Sequence, residues 1–324
     1  MYQKYKKKII FSVVLGALVF LGLSIYANFN ELIEAFGIYN WILFPVILLL
    51  SLCNYMFRFF RWEYYTKTLD IKVERKMSFL IFLSSFIMSV TPGKIGEVFK
   101  SYLLKEQIGT PVSKSAPIVF AERITDFLSL VMLSIAGALV FGYGTEIIIS
   151  FGAAFIIMVF IISNKKLSYA IIGLLEKFKF IAKISNKLHT AYDSIYQMVR
   201  FKELIMTIIL SIFAWSFECL SFYLVVNGFG LGDAVHIDLL IATFVYGFAT
   251  IAGAATMLPG GLGATDASIT GLLVLLALPK SVAVASTLII RAATLWFAVV
   301  VGIVAVMFYQ KISHKSINQI VLES

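Results

Sequence analysis

Charge is scarce in this 324-residue chain: only 14% of its residues are Asp, Glu, Lys or Arg, against roughly one-quarter in an average soluble domain. A surface that poor in charge excludes a water-soluble fold of this length. Cysteine and histidine are rarer still. The two cysteines, Cys53 and Cys219, both sit inside apolar runs and give no sign of a disulfide framework. The three histidines, His189, His236 and His314, are scattered without metal-ligand spacing. No metal or cofactor is expected, and no nucleophile–base pair marks an enzyme.

What the chain has instead is apolar length. Hydrophobic residues make up 60% of it, with a mean hydropathy of +0.93. Apolar segments run over 9–26, 41–57, 78–91, 116–141, 146–163, 204–226, 239–258, 264–278 and 282–308. A helix needs about 20 apolar residues to cross the hydrocarbon core, so an all-α, polytopic integral membrane protein is expected, a single transmembrane domain over 1–324. The segments at 78–91 and 264–278 reach only about 21–23 Å and are short for a crossing. Lys4, Lys6, Lys7 and Lys8 before the first run resemble a signal peptide, but no small-residue cleavage site follows, and a retained first helix is expected.

Basic residues set the orientation. The N-terminus, the 58–76 loop, the 94–114 stretch, the 165–202 stretch and Lys311 with Lys315 are all basic, whereas 28–40 and 227–238 carry only acids. The positive-inside rule then places both termini in the cytoplasm, with the cell membrane as the expected location. The net charge of +9 has the same origin, and no nucleic-acid partner is expected. With basic flanks on both sides, 78–91 must leave and return on the cytoplasmic side, and 239–278 on the outer side. Six spans plus two oppositely oriented hairpins result. Between them, 165–202 carries apolar residues at three- and four-residue steps with lysines between, the pattern of an amphipathic helix or a bent pair. It either lies on an anionic cytoplasmic leaflet or is a plain connector.

The hairpin tips match. Thr91-Pro92-Gly93-Lys94-Ile95-Gly96-Glu97 and Leu258-Pro259-Gly260-Gly261-Leu262-Gly263-Ala264 both contain Pro-Gly-x-(Ile/Leu)-Gly. Arg123 lies 31 residues after Pro92, and Arg291 lies 32 after Pro259. Opposite orientation makes this an inverted repeat, about 41–141 and 204–308, an arrangement typical of transporters. Glycines Gly93, Gly96, Gly260, Gly261 and Gly263 let backbone approach a ligand, and helix starts near Gly96 and Gly263 would offer free amides to an anion such as phosphate. Tight packing around small residues is the alternative.

Ionisable residues inside spans cost about 2.5–3.5 kcal/mol each on insertion scales. Arg123 has Glu122 beside it and Asp126 three residues on, close enough to pair along the helix. Arg291 follows a hairpin containing Asp266, Glu218 lies deep in its span, and Lys94 and Glu97 flank the first tip. Arg58 and Arg61 close the second span and are expected to snorkel to headgroups or to join the site. The arginines either form internal ion pairs or grip a phosphate through bidentate hydrogen bonds.

In these motifs, with Lys100, Tyr102-Leu103-Leu104, Glu122-Arg123 and Asp126, then Arg291 with Trp296, the chain resembles the lysylphosphatidylglycerol synthetase transmembrane family. These are flippase-like proteins related to the membrane half of the multiple peptide resistance factor. The resemblance covers essentially the whole chain. It implies movement of a polar-headed lipid between leaflets: an aminoacylated phospholipid in the best-known relatives, a polyprenyl-linked lipid in others. The family commonly has a glutamate after the second glycine motif, where this chain has Asp266. No soluble aminoacyl-transfer domain follows residue 308, so lipid synthesis is not expected. The expected function is a lipid flippase or scramblase. The alternatives are a membrane enzyme acting on lipid-linked headgroups, or an accessory subunit that presents lipid to a separate synthase through 165–202.

Overall fold

The structure, a computed structural model, describes residues 2–91, 96–141, 145–178, 183–230 and 237–313. Helix α1 (Tyr2–Tyr26) meets α2 (Phe29–Ile38) at a 94° bend. Asn28 turns the chain there with φ 64° and caps α2 by accepting a hydrogen bond from the Asn30 amide at 3.2 Å. Then come α3 (Leu43–Thr68) and α4 (Arg75–Ser84), which tightens into a 3-10 turn at Ser85–Met88. After the first tip, α5 (Phe99–Ile108) stops at Gly109, whose φ of 71° suits only a residue without Cβ. Helices α6 (Val112–Ser115), α7 (Pro117–Phe141) and α8 (Thr145–Ser163) follow.

The connector is a bent pair. Helix α9 (Lys165–Leu175) leaves α8 at 87°, and α10 (Ser185–Met198) folds back towards α6 and α7. The second half comprises α11 (Phe201–Asn227), α12 (Leu239–Ala255), a 3-10 turn at Pro259–Gly261, α13 (Ala264–Leu275) and α14 (Lys280–Arg291). A π turn at Ala292–Trp296 joins α14 to α15 (Phe297–Ser313). A π turn strands carbonyls, and α3 supplies donors to them: Ser51 Oγ reaches the Ala293 oxygen at 2.9 Å, and Tyr55 Oη the Thr294 oxygen at 3.3 Å.

Among the described residues, four helices are long and apolar enough to cross a membrane, Leu43–Thr68, Val112–Val140, Phe201–Asn227 and Lys280–Ser313. Counting each of the two bent pairs as one span gives up to six. The protein is therefore an all-α polytopic membrane protein, and its bundle turns apolar side chains outward, including Leu18, Ile25, Leu49, Leu139, Phe160 and Met307. That exterior suits lipid and would be costly in water.

The two halves interlock. Helices α3 and α11 pack along each other, α7 packs on α12 of the second hairpin, and α15 packs on α4 and the 3-10 turn of the first hairpin. Glycine permits both exchanges: a Cβ on Gly137 of α7 would strike the Leu240 carbonyl oxygen, and one on Gly302 of α15 would strike the Ile87 backbone nitrogen. Val90, just before the first tip, packs against Leu262 of the second in a small cluster with Leu295 and Val299. A Cβ on Gly260 would lie 3.7 Å from the Val90 Cα. Helix α1 covers this junction, with Ser12 Oγ donating to the Val90 oxygen at 2.7 Å and Gly16 set against the Trp296 ring.

Candidate functional site

In the first half, α3, α5 and α7 bring charged side chains together beside the first tip. Arg61, at 1% side-chain exposure, is held through Nη1 by Asp126 Oδ1 at 2.6 Å, Ser211 Oγ at 2.8 Å and Thr125 Oγ1 at 3.0 Å. Trp215 Nε1 donates to the same Asp126 oxygen at 3.0 Å. This contradicts the expectation that Arg61 snorkels. Helix α3 continues to Thr68, well beyond the apolar run, and α7 and α11 cover the guanidinium, supplying Thr125, Asp126 and Ser211 as acceptors to Nη1.

The other oxygen of Asp126 faces Arg123. Arg123 Nη2 lies 3.3 Å from Asp126 Oδ2 and 3.1 Å from Glu97 Oε2. Arg58 Nη2 approaches Glu97 Oε1 at 3.8 Å, with its guanidinium over the Phe86 ring at 5.1 Å. Lys100, fully buried, pairs with Glu122 Oε2 at 2.6 Å and lies over the Trp62 ring at 4.6 Å. The arginines differ in access: Arg123 is 20% exposed and Arg58 14%. Four cations (Arg58, Arg61, Lys100 and Arg123) face three carboxylates (Glu97, Glu122 and Asp126), which leaves this cluster one positive charge in surplus among the described residues.

The second half is closed on itself. Arg291 Nε meets Asp266 Oδ1 at 2.8 Å, and its Nη2 donates to the Gly260 oxygen at 2.6 Å. Asp266 Oδ2 accepts the Gly263 amide at 2.8 Å. A carboxylate in the first turn of α13 thus already serves the helix start and its positive dipole end. At the first tip, the Gly96 amide donates to Thr91 Oγ1 at 2.9 Å. The expectation of free amides at Gly96 and Gly263 is therefore corrected, because the chain supplies its own acceptor at each. Gly261 donates its amide to the Leu258 oxygen at 3.0 Å, and Gly260 and Gly261 adopt φ of 59° and 66°. Glu218 accepts from Tyr246 Oη at 2.6 Å, between α11 and α12. Gly93 and Lys94 lie outside the described residues.

Sequence reasoning placed Glu218 among the candidates but missed its partner Tyr246, and missed Ser211 and Trp215, which come from far along the chain. Ser211, Trp215 and Glu218 fall on one face of α11, four and three residues apart, so this helix touches both the Asp126 cluster and Tyr246. A tryptophan and a glutamate at helical spacing in an otherwise apolar run were the available signal. Lys100 stood in the motif, but its pairing with Glu122 did not.

With this geometry in place, the comparisons with known proteins decide the family. A family model described as the lysylphosphatidylglycerol synthase TM region matches residues 9–302. The chain belongs to this family. Among similar proteins, a UPF0104 membrane protein of Methanothermobacter thermautotrophicus is 23% identical over 286 residues, 80% of this chain and 83% of the relative. One from Methanocaldococcus jannaschii is 25% identical over 272 residues, 78% of this chain and 80% of its own length. Another from Pyrococcus horikoshii is 26% identical over 282 residues, covering 78% and 82%. This member of the lysylphosphatidylglycerol synthase TM region family carries the arginines and tips described above within the matched span.

Proposed function

We propose that the protein is a lipid flippase or scramblase that moves an anionic or aminoacylated phospholipid, or a polyprenyl-phosphate-linked lipid, between leaflets. The observation that carries this reading is Arg123: partly exposed beside the first tip, it meets both its carboxylates through Nη2, in a cluster with surplus positive charge. A lipid phosphate satisfies that surplus. Glu97 and Asp126 hold the guanidinium while the site is empty, and a phosphate competes for it with charge-assisted hydrogen bonds. Arg58 stands on the other side of Glu97 as a second contact, and Arg61 keeps Asp126 in position.

The interlocking of hairpins and arginine-bearing helices supports an inverted repeat whose halves rock about the tips, exposing the headgroup site to each leaflet in turn. The acyl chains stay in lipid outside the bundle. Arg291 and Asp266 clamp the second tip and form the counterpart of the Arg123 site. In this reading both termini are cytoplasmic, the cell membrane is the location, and the protein acts by transport rather than catalysis. Native mass spectrometry of gently extracted protein tests the site. One lipid class retained by wild type and lost in Arg123→Ala supports it, and retention unchanged in a folded Arg123→Ala contradicts it.

A further inference from the structure

The connector carries a surface that the transport site does not use. Leu167, Ile171, Leu174, Leu175 and Phe178 recur at helical spacing along α9 and its C-terminal turn. Their side chains point away from the protein, with Phe178 at 65% and Leu174 at 59% exposure. Ser168 and Ile172, on the adjoining face, are buried. At about 100° per residue, Lys166 and Lys177 lie roughly 100° around the helix from the centre of the apolar stripe. The 87° bend from α8 lays α9 across the direction of a span.

Where α8 ends and α11 begins, two more cations converge. Lys165 Nζ lies 4.6 Å, and the Arg200 guanidinium carbon 5.6 Å, from the centre of the Tyr196 ring. Phe201, beside Arg200, is among the most exposed large side chains of the chain. Eight basic residues stand against three acidic ones over 165–203. The partner must therefore be apolar below, anionic at its boundary and flat.

We propose that α9 is an interfacial anchor that inserts its apolar stripe into an anionic phospholipid leaflet, with Lys165, Lys166, Lys177 and Arg200 at the phosphates. Apolar burial supplies the attachment, and attraction of the basic residues to anionic lipid adds to it. The contact is separate from the Arg123 site and stands whichever lipid that site takes.

The test is depth measurement in vesicles. Full-length protein with Cys53→Ala and Cys219→Ala receives a nitroxide at Phe178→Cys, or at Lys187→Cys as control, in phosphatidylcholine vesicles with or without phosphatidylglycerol. The label at 178 is expected to collide with oxygen in preference to a water-soluble nickel chelate, more strongly with phosphatidylglycerol, and the label at 187 to show the reverse. The variant Lys165→Gln/Arg200→Gln is expected to lose the phosphatidylglycerol response. Water-like accessibility at 178 in both vesicles overturns the proposal, as does spin–spin broadening there, which would mean a second copy covers the face. Hydrogen exchange over 165–178 of the unsubstituted protein in the same two lipids gives the check free of cysteine changes. Stronger protection with phosphatidylglycerol is expected, and equal exchange in both overturns the proposal.

Discussion

Arg123 and Glu97 meet at 3.1 Å, joining the first hairpin to the first third of the spanning helix α7. The pair divides the work of the cluster. Glu97 and Asp126 hold the accessible arginine, and Asp126 turns its other oxygen to Arg61, which is sealed from solvent and lipid alike.

Loss of Arg61 is expected to damage the fold, whereas loss of Arg123 is expected to damage function. Arg61→Leu leaves Asp126, Ser211 and Trp215 arranged around a missing cation, and breaking a buried pair costs about 3–5 kcal/mol. Thermal unfolding in detergent should show a clear drop for Arg61→Leu and little change for Arg123→Ala.

Lys100→Met strands the Glu122 carboxylate in the interior and is expected to cost a similar amount, about 3–5 kcal/mol. The double variant Lys100→Met/Glu122→Gln removes both charges and should recover most of that loss. A double-mutant cycle on unfolding temperature measures the coupling. Additive losses would mean that the ion pair is not the reason both side chains are buried.

Gly302→Ala places a methyl group against the Ile87 backbone, where α15 crosses the 3-10 turn below the first tip. Overpacking of this kind costs about 1–3 kcal/mol. Lower thermal stability is expected, together with slower lipid movement, because the crossing fixes the height of the tip.

The connector is clipped by Glu176, which accepts hydrogen bonds from Ser185 and His189. The Ser185 hydroxyl, with His189, holds the Glu176 carboxyl below its usual range. A lowered folded pKa stabilises the clip fully above the unfolded value of about 4.3, and the contribution is lost as pH falls through the lower folded value. With the intrinsic pH dependence of amide exchange divided out, protection over α9 and α10 should therefore hold down to about pH 4.3 and fall on further acidification. Glu176→Gln should lower that protection at neutral pH and make little difference once the carboxyl is protonated.

Much of the architecture was legible because lipid imposes a length rule. The long apolar spans, the second Pro-Gly turn and the close sequence pair Arg123–Asp126 follow from apolar run length, turn residues and helical spacing. Arg61 was misread because it lies beyond the apolar run, and only the tertiary fold shows α7 and α11 closing over it. The pairs Arg61–Asp126 and Lys100–Glu122 span 65 and 22 positions, too far for periodicity to reveal. The amides at Gly96 and Gly263 were expected to be open because glycine-rich tips resemble anion sites. Thr91 and Asp266, both visible in the sequence, satisfy them locally.

If Arg123 grips the headgroup in transit, a flip assay in vesicles reads its loss out. Purified protein is reconstituted with a fluorescent anionic phospholipid in both leaflets, and dithionite is added outside. Wild type is expected to let the reductant quench nearly all the fluorescence, and folded Arg123→Ala only about the outer half, as in protein-free vesicles. Equal quenching by wild type and Arg123→Ala, or none beyond the protein-free level in wild type across phospholipid and polyprenyl-phosphate probes, would contradict the account.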